Sequence, residues 1–162
     1  MGTISFSKSK YVNPYELANF SNVLKQTIVQ LQNALHITPQ NRNYGPLVIE
    51  AWPLVQHITC GEYLRYTNPA SQQAVDLWIG LDLVEEGIAL VVWFDSPNPA
   101  VIAYLFTLRN TGCCGEFGRY QRGKIDQAWI TLDDMSFDQF LSNPGQEPQI
   151  IENFLWKVLQ GL

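Results

Sequence analysis

The sequence predicts an α+β fold, a mainly antiparallel sheet of five to seven strands flanked by an N-terminal and a C-terminal amphipathic helix. Three observations carry this expectation. Residues 75–84 alternate apolar and other side chains almost without error, and after Glu85-Glu86-Gly87 the chain returns as the apolar run Ile88-Ala-Leu-Val-Val-Trp-Phe94. Period two broken by turn residues predicts a β-hairpin, its second strand the more deeply buried. Apolar residues then recur at steps of three and four near both ends of the chain, the period of a helix with one buried stripe. The segments between predicted strands are short, which favours antiparallel pairing, because parallel pairing needs long crossovers.

The first helix is the best marked. Asn13-Pro14-Tyr15-Glu16 offers a capping side chain, proline at the first helical position and an acid in the first turn. Leu17, Phe20, Leu24, Ile28, Leu31 and Leu35 follow on one stripe, and Pro39 stops the run. A helix over 14–36 is roughly 34 Å long. His36 falls at its end, where a cationic group interacts favourably with the helix dipole. Residues 38–46 read as a polar loop, 47–52 as a short strand, and 54–58 with 62–66 as irregular pieces of sheet. Asn68-Pro69 opens a turn before the hairpin.

Residues 101–109 contain two conflicting signals. Asn98-Pro99 repeats the helix start at Asn13-Pro14, yet Ile102, Tyr104, Phe106 and Leu108 stand at every second position. Their β-branched and aromatic character favours a strand. Residues 116–120 and 125–132 predict a second hairpin around Gln121-Arg-Gly-Lys124, and Ser136–Leu141 a short helix. From Pro148, a final helix places Ile151, Phe154, Leu155, Val158, Leu159 and Leu162 on one face. Trp156 lies near that stripe and is expected to pack with it, a partner contact being the alternative. Asn-Pro recurs at 13, 68, 98 and 143 as punctuation; the flanking segments do not repeat.

Composition bounds the function classes. The chain has 162 residues, 46% of them hydrophobic and only 15% charged, enough for one domain with a real core. The expected organisation is a flexible segment over 1–12 and a single domain over 13–162. The net charge of −5 argues against nucleic acid, whose binding domains concentrate positive charge. Three cysteines, Cys60, Cys113 and Cys114, do not make a disulfide framework and point to reduced thiols in a cytoplasmic setting. No signal-like opening and no apolar run of about eighteen residues is present, so no membrane association is expected. Met1-Gly2-Thr3-Ile4-Ser5-Phe6 fails as a myristoylation site because Phe6 stands where Ser or Thr is wanted.

No motif assembles a catalytic set. Asp76 and Asp82 are six strand residues apart, about 20 Å, beyond the reach of a paired acid and base; they read as a solvated sheet face. Trp78 shares their parity and becomes a binding residue if that face is open. Arg119-Tyr120-Gln121-Arg122-Gly123-Lys124 holds three of the ten basic residues. It reads as a soluble hairpin tip, or as a contact for phosphate or a base through Arg119, Tyr120, Arg122 and Lys124. No lysine follows an acid at the spacing of a Glu-X-Lys nuclease. His57, Cys60, Cys113 and Cys114 lack the spacing of a zinc site, and Gly112, Gly115 and Gly118 match no nucleotide-binding fingerprint. No metal or cofactor is expected. Three functions remain. The favoured one is a non-catalytic binding or adaptor module acting through protein–protein contacts, with an unidentified protein or with itself as a homodimer. The second is a small hydrolase-like enzyme with a site built from scattered residues such as Arg65, Asp82, Asp95 and Arg109. The third is nucleic-acid or phosphate contact through the 119–124 turn.

Overall fold

A computed structural model describes residues 14–40, 48–52, 55–84, 87–132 and 145–162. The elements run α1 (Pro14–Leu35), β1 (Ile37–Pro39), β2 (Val48–Trp52), β3 (Val55–Thr67), β4 (Ala74–Val84), β5 (Gly87–Asp95), α2 (Pro99–Asn110), β6 (Phe117–Arg122), β7 (Ile125–Thr131) and α3 (Glu147–Leu159). The sheet order is β1-β3-β4-β5-β7-β6, with β2 also paired to β3. Every pairing is antiparallel, so the α+β class holds.

The pleat divides the sheet into two faces. Leu64, Leu77, Ile79, Leu81, Leu90, Val92, Phe94, Ala128 and Ile130 share one parity and are buried in the core. Phe20, Leu24, Ile28, Leu31 and Leu35 of α1 pack into the same cluster. So do Val101, Leu105 and Leu108 of α2 and Ile151, Phe154, Leu155, Val158 and Leu159 of α3. The three described helices therefore cover one face, and the described members of both predicted stripes are the ones used; the Leu17 side chain lies outside the described residues. Strand β5 is buried at both parities, Leu90, Val91, Val92 and Phe94 all being inaccessible, as its unbroken apolar run requires.

Segment 99–110 is a helix, which corrects the strand expected there. The Asn98 side chain accepts the Val101 N–H at 2.9 Å, and Pro99 occupies the first turn. The alternation at 102–108 misleads because the buried positions are 101, 105 and 108, the helical spacing. A cap and a fixed φ outweigh β-propensity here. The second correction concerns 55–67, which is one 13-residue strand and not two pieces. Its first half pairs β2, and its second half pairs both β1 and β4. The expected strand at 47–52 appears as β2, and the expected second hairpin as β6–β7.

Helix α3 has no side-chain cap at Gln146; its first residue, Glu147, accepts the Gly145 N–H of the preceding turn at Oε2, at 2.8 Å. The Tyr104 hydroxyl donates to the Lys157 carbonyl at 2.6 Å and ties α2 to α3. The Asn13 cap, the 85–86 turn, the 136–141 helix and the 1–12 segment lie outside the described residues. No described helix is long and apolar enough to cross a membrane.

Candidate functional site

The sheet face away from the helices carries two rows that run across the strands. The first is aromatic. Tyr63 stands opposite Trp78, Trp78 opposite Trp93, Trp93 opposite Trp129, and Trp129 opposite Gly118. At about 4.8 Å per strand, Tyr63 and Trp129 are about 14 Å apart along the row. Trp93 and Trp129 stack with centroids 4.5 Å apart and planes at 28°. Trp129 lies over Gly118, and Trp78 lies over Gly61 and Gly80; a Cβ at any of these glycines would collide with the ring. These glycines are therefore required for the close approach of an indole. Trp78 is 8% exposed in this arrangement, so the condition attached to its binding role, an open face at that position, is not met by its side chain. The Trp93 Nε1–H is buried without an acceptor among the described residues.

The second row is polar. Arg65 grips Asp76 with two bonds, Nε to Oδ1 at 2.8 Å and Nη2 to Oδ2 at 3.2 Å. Asp95 accepts from Gln127 Nε2 at 2.9 Å, and Tyr120 stands opposite Gln127. Arg65 and Asp95, two candidates for a scattered active site, thus share one row, two strand spacings or about 10 Å apart. Arg109 is not with them. It ends α2 on the helical side and bonds Asn110 at 3.3 Å. Asp82 is placed by its backbone in β4 opposite Ala89; its side chain lies outside the described residues.

The basic cluster is divided by the pleat. Arg119 and Gln121 share the parity of the helical face, and Tyr120 and Arg122 that of the open face. Arg119 is held by Asp126 through two bonds at 3.2 and 3.1 Å. Arg122 and Lys124 are exposed at the tip. The turn is closed by Gly123 at φ 59° with Lys124 on the ordinary side of the map. That is the type II′ turn, which puts glycine at the first central position.

Apolar exposure concentrates at this end of the sheet. Of the six most exposed large apolar side chains among the described residues, Phe106 (49%), Tyr120 (43%) and Ile125 (52%) belong to the hairpin and the helix beside it. Phe106 meets Phe117 of β6 edge-on at 5.9 Å. Half-buried Trp93 and Trp129 continue the patch on the open face. Sequence reasoning missed Phe106, Phe117, Ile125 and the Trp93–Trp129 stack; the run Trp-Phe at 93–94 and the lone Trp129 were the available signals. Trp156, expected to pack, is 55% exposed on α3 because position 156 falls between the buried pairs 154–155 and 158–159.

The thiols stay apart. Cys60 in β3 and Cys114, just before β6, are both buried, and β4, β5 and β7 lie between them in the sheet order, about 19 Å at four strand spacings. A disulfide needs Cα atoms within about 7 Å. Burial pushes the Cys60 thiol up to about 11, against a hydrogen bond with Ser21 that lowers it. It is a poor nucleophile there. Glu62, two residues on, is also raised by burial, with Lys25 of α1 at 3.7 Å pulling it down. Cys113 is exposed and its sulfur accepts from the Thr111 hydroxyl at 3.3 Å. The His57 side chain lies outside the described residues, and among those described no three His, Cys, Asp or Glu side chains gather as metal ligands would. No family model matches the chain, and no curated protein or solved structure matches it either.

Proposed function

We propose that this chain is a non-catalytic binding or adaptor module whose contact surface is the β6–β7 end of the sheet. The observation that carries the reading is that Phe106, Tyr120 and Ile125, each about half exposed, stand on or beside one terminal hairpin, Phe106 on its helical face and the other two on its open face. Tryptophan, tyrosine and arginine dominate the energetics of protein contacts, and this end supplies Trp129, Tyr120 and Arg122 side by side on the open face. The polar row beside it supports the same reading. Asp76 and Asp95 are already bonded by Arg65 and Gln127, as fits a fixed recognition surface with a hydrogen-bonding rim.

The test is affinity capture from the native cell with the wild type and with Ile125→Asp. Ile125 is half exposed and borders the turn, so the variant keeps its unfolding midpoint within a few degrees. A protein recovered in stoichiometric amount by the wild type and lost with the variant supports the proposal. A chain that recovers nothing, and that stays monomeric by sedimentation at high concentration, refutes it. Recovery unaffected by the variant moves the contact elsewhere, exposed Trp156 being the next site to probe.

A further inference from the structure

The proposed contact surface leaves open how a partner engages it, and the edge of β6 supplies a specific answer. Strand β6 is the last in the sheet order, with β7 on one side. A two-residue type II′ turn makes Arg122 and Ile125 a pair that exchanges both backbone bonds. The hydrogen-bonded pairs are then 122–125, 120–127 and 118–129. The Thr131 N–H donating to the Glu116 carbonyl at 2.9 Å fixes the same parity. It follows that Phe117, Arg119 and Gln121 direct their N–H and C=O groups outward, away from β7. Residues 119–122 are exposed, so the outward groups of Arg119 and Gln121 face solvent.

Charge selects among the strands that could add there. Arg119 is neutralised by Asp126, whereas Arg122 and Lys124 make no ion pair among the described residues and sit within three positions of each other at the tip. This is a local cationic end on a chain of net charge −5. A second copy pairing through β6 in parallel would bring two such ends together, and like charges across strands are unfavourable, whereas an antiparallel copy would set each tip near Glu116 of the other and is separated by the dimerisation arm of the test. Apolar side chains flank the edge on both faces, Phe117 with Phe106 on one and Tyr120 with Ile125 on the other. We infer that β6 receives an extended, acidic segment of a partner protein as an additional strand. Main-chain bonds to Phe117, Arg119 and Gln121 hold it, its apolar side chains lie on the helical face against Phe117, and its carboxylates, on the opposite face, meet Arg122 and Lys124. This rests on the reading of the β6–β7 end as the contact surface.

The probe is a capped eight-residue peptide of alternating valine and glutamate, with a valine–lysine peptide as its counterpart. Binding is followed by amide hydrogen exchange and by titration calorimetry. The valine–glutamate peptide is expected to protect the Phe117, Arg119 and Gln121 amides, and the lysine peptide to bind at least tenfold more weakly. Gln121→Pro removes one outward N–H and leaves the β6–β7 ladder intact, a placement that edge strands tolerate. It should weaken the peptide at least tenfold with the unfolding midpoint preserved, while Gln121→Ala should not. Arg122→Glu with Lys124→Glu should reverse the preference between the two peptides.

Several results would overturn strand addition. Binding unchanged in Gln121→Pro but lost in Ile125→Asp would leave the surface correct and the strand wrong. Equal affinity for the two peptides would remove the charge argument. Dimerisation that protects the same amides without peptide would make a second copy the occupant. An oligonucleotide that binds and displaces the peptide, unaffected by Gln121→Pro, would make the tip a phosphate contact. No binding at millimolar peptide would also refute the inference.

Discussion

Replacing Gly118 by alanine isolates the contact that builds the open face. The Trp129 ring occupies the space where a Cβ at position 118 would stand, and the ring cannot retreat freely because Trp93 stacks on it at 4.5 Å. An added methyl in a filled space costs about 1–3 kcal/mol, and losing the stack adds about 0.5–1.5 kcal/mol. Alanine in a strand recovers about 0.5–1 kcal/mol of backbone entropy relative to glycine. The net expectation is a loss of about 1–3 kcal/mol, a fall in melting temperature of roughly 3–10 °C for a chain of this size. The control is the same change with Trp129→Ala. Once the ring is gone, the three atoms nearest to the methyl are gone with it, and Gly118→Ala should be neutral or stabilising by up to about 1 kcal/mol. Urea unfolding of the four proteins closes the cycle, with an expected coupling of about 1–4 kcal/mol. The near-ultraviolet circular dichroism of the Trp93–Trp129 pair should weaken in Gly118→Ala alone. If Gly118→Ala stabilises the protein equally in both backgrounds, the ring does not depend on the glycine, and the account of the open face fails.

Asn98→Ala removes the side-chain acceptor of the Val101 N–H and should destabilise by about 1 kcal/mol in thermal unfolding, whereas Asn98→Asp should hold or gain stability because the carboxylate also faces the helix N-terminus. His36 ends α1 at φ 56°, so His36→Gly should stabilise by roughly 0.5–1 kcal/mol, read by the urea midpoint. The raised Cys60 thiol keeps its proton more tightly when folded. Its contribution is therefore whole below about pH 9, falls as the pH rises towards about 11, and amounts to at most about 3 kcal/mol. The wild type should lose that much more stability than Cys60→Ala over this window. With Cys60 and Cys114 buried and Cys113 exposed, a thiol reagent at neutral pH should label one group per native chain quickly and three after unfolding.

Local periodicity made much of the fold legible, and non-local pairing hid the rest. The stripes of α1 and α3 and the β4–β5 hairpin are written in neighbours three, four or two residues apart, and each forms as its spacing directs. Helix α2 was obscured because bulky groups at 102, 104, 106 and 108 imitate a strand, although Asn98-Pro99 already carried the start signal that decided it. Strand β3 looked broken because Gly61 interrupts its pattern. The meaning of Gly61 appears only opposite Gly80, where both make room for Trp78. The aromatic row joins positions 63, 78, 93 and 129 through three registers, the last bringing together residues 36 apart in sequence. No window on the chain contains that row.

The candidate surface was half legible for the same reason. A run of basic residues at 119–124 is visible in the sequence, but a run is not a patch. In a strand, successive side chains leave on opposite faces, so Arg119 goes to Asp126 on the helical side and Arg122 to the open side with Tyr120. What survives as free charge is the tip. Cations on an edge strand are the ordinary defence against unwanted pairing, and that defence works with either sign of charge. This chain has fifteen acids and ten bases, so an edge needing only charge would more often draw on carboxylates. Instead residues 119–126 carry three bases and one acid, the acid is bonded to the base furthest from the tip, and the two remaining bases border exposed Tyr120 and Ile125. A cationic tip placed beside apolar contact groups disfavours a basic strand while still admitting one of opposite sign. That combination is what separates a guarded edge from a selective one.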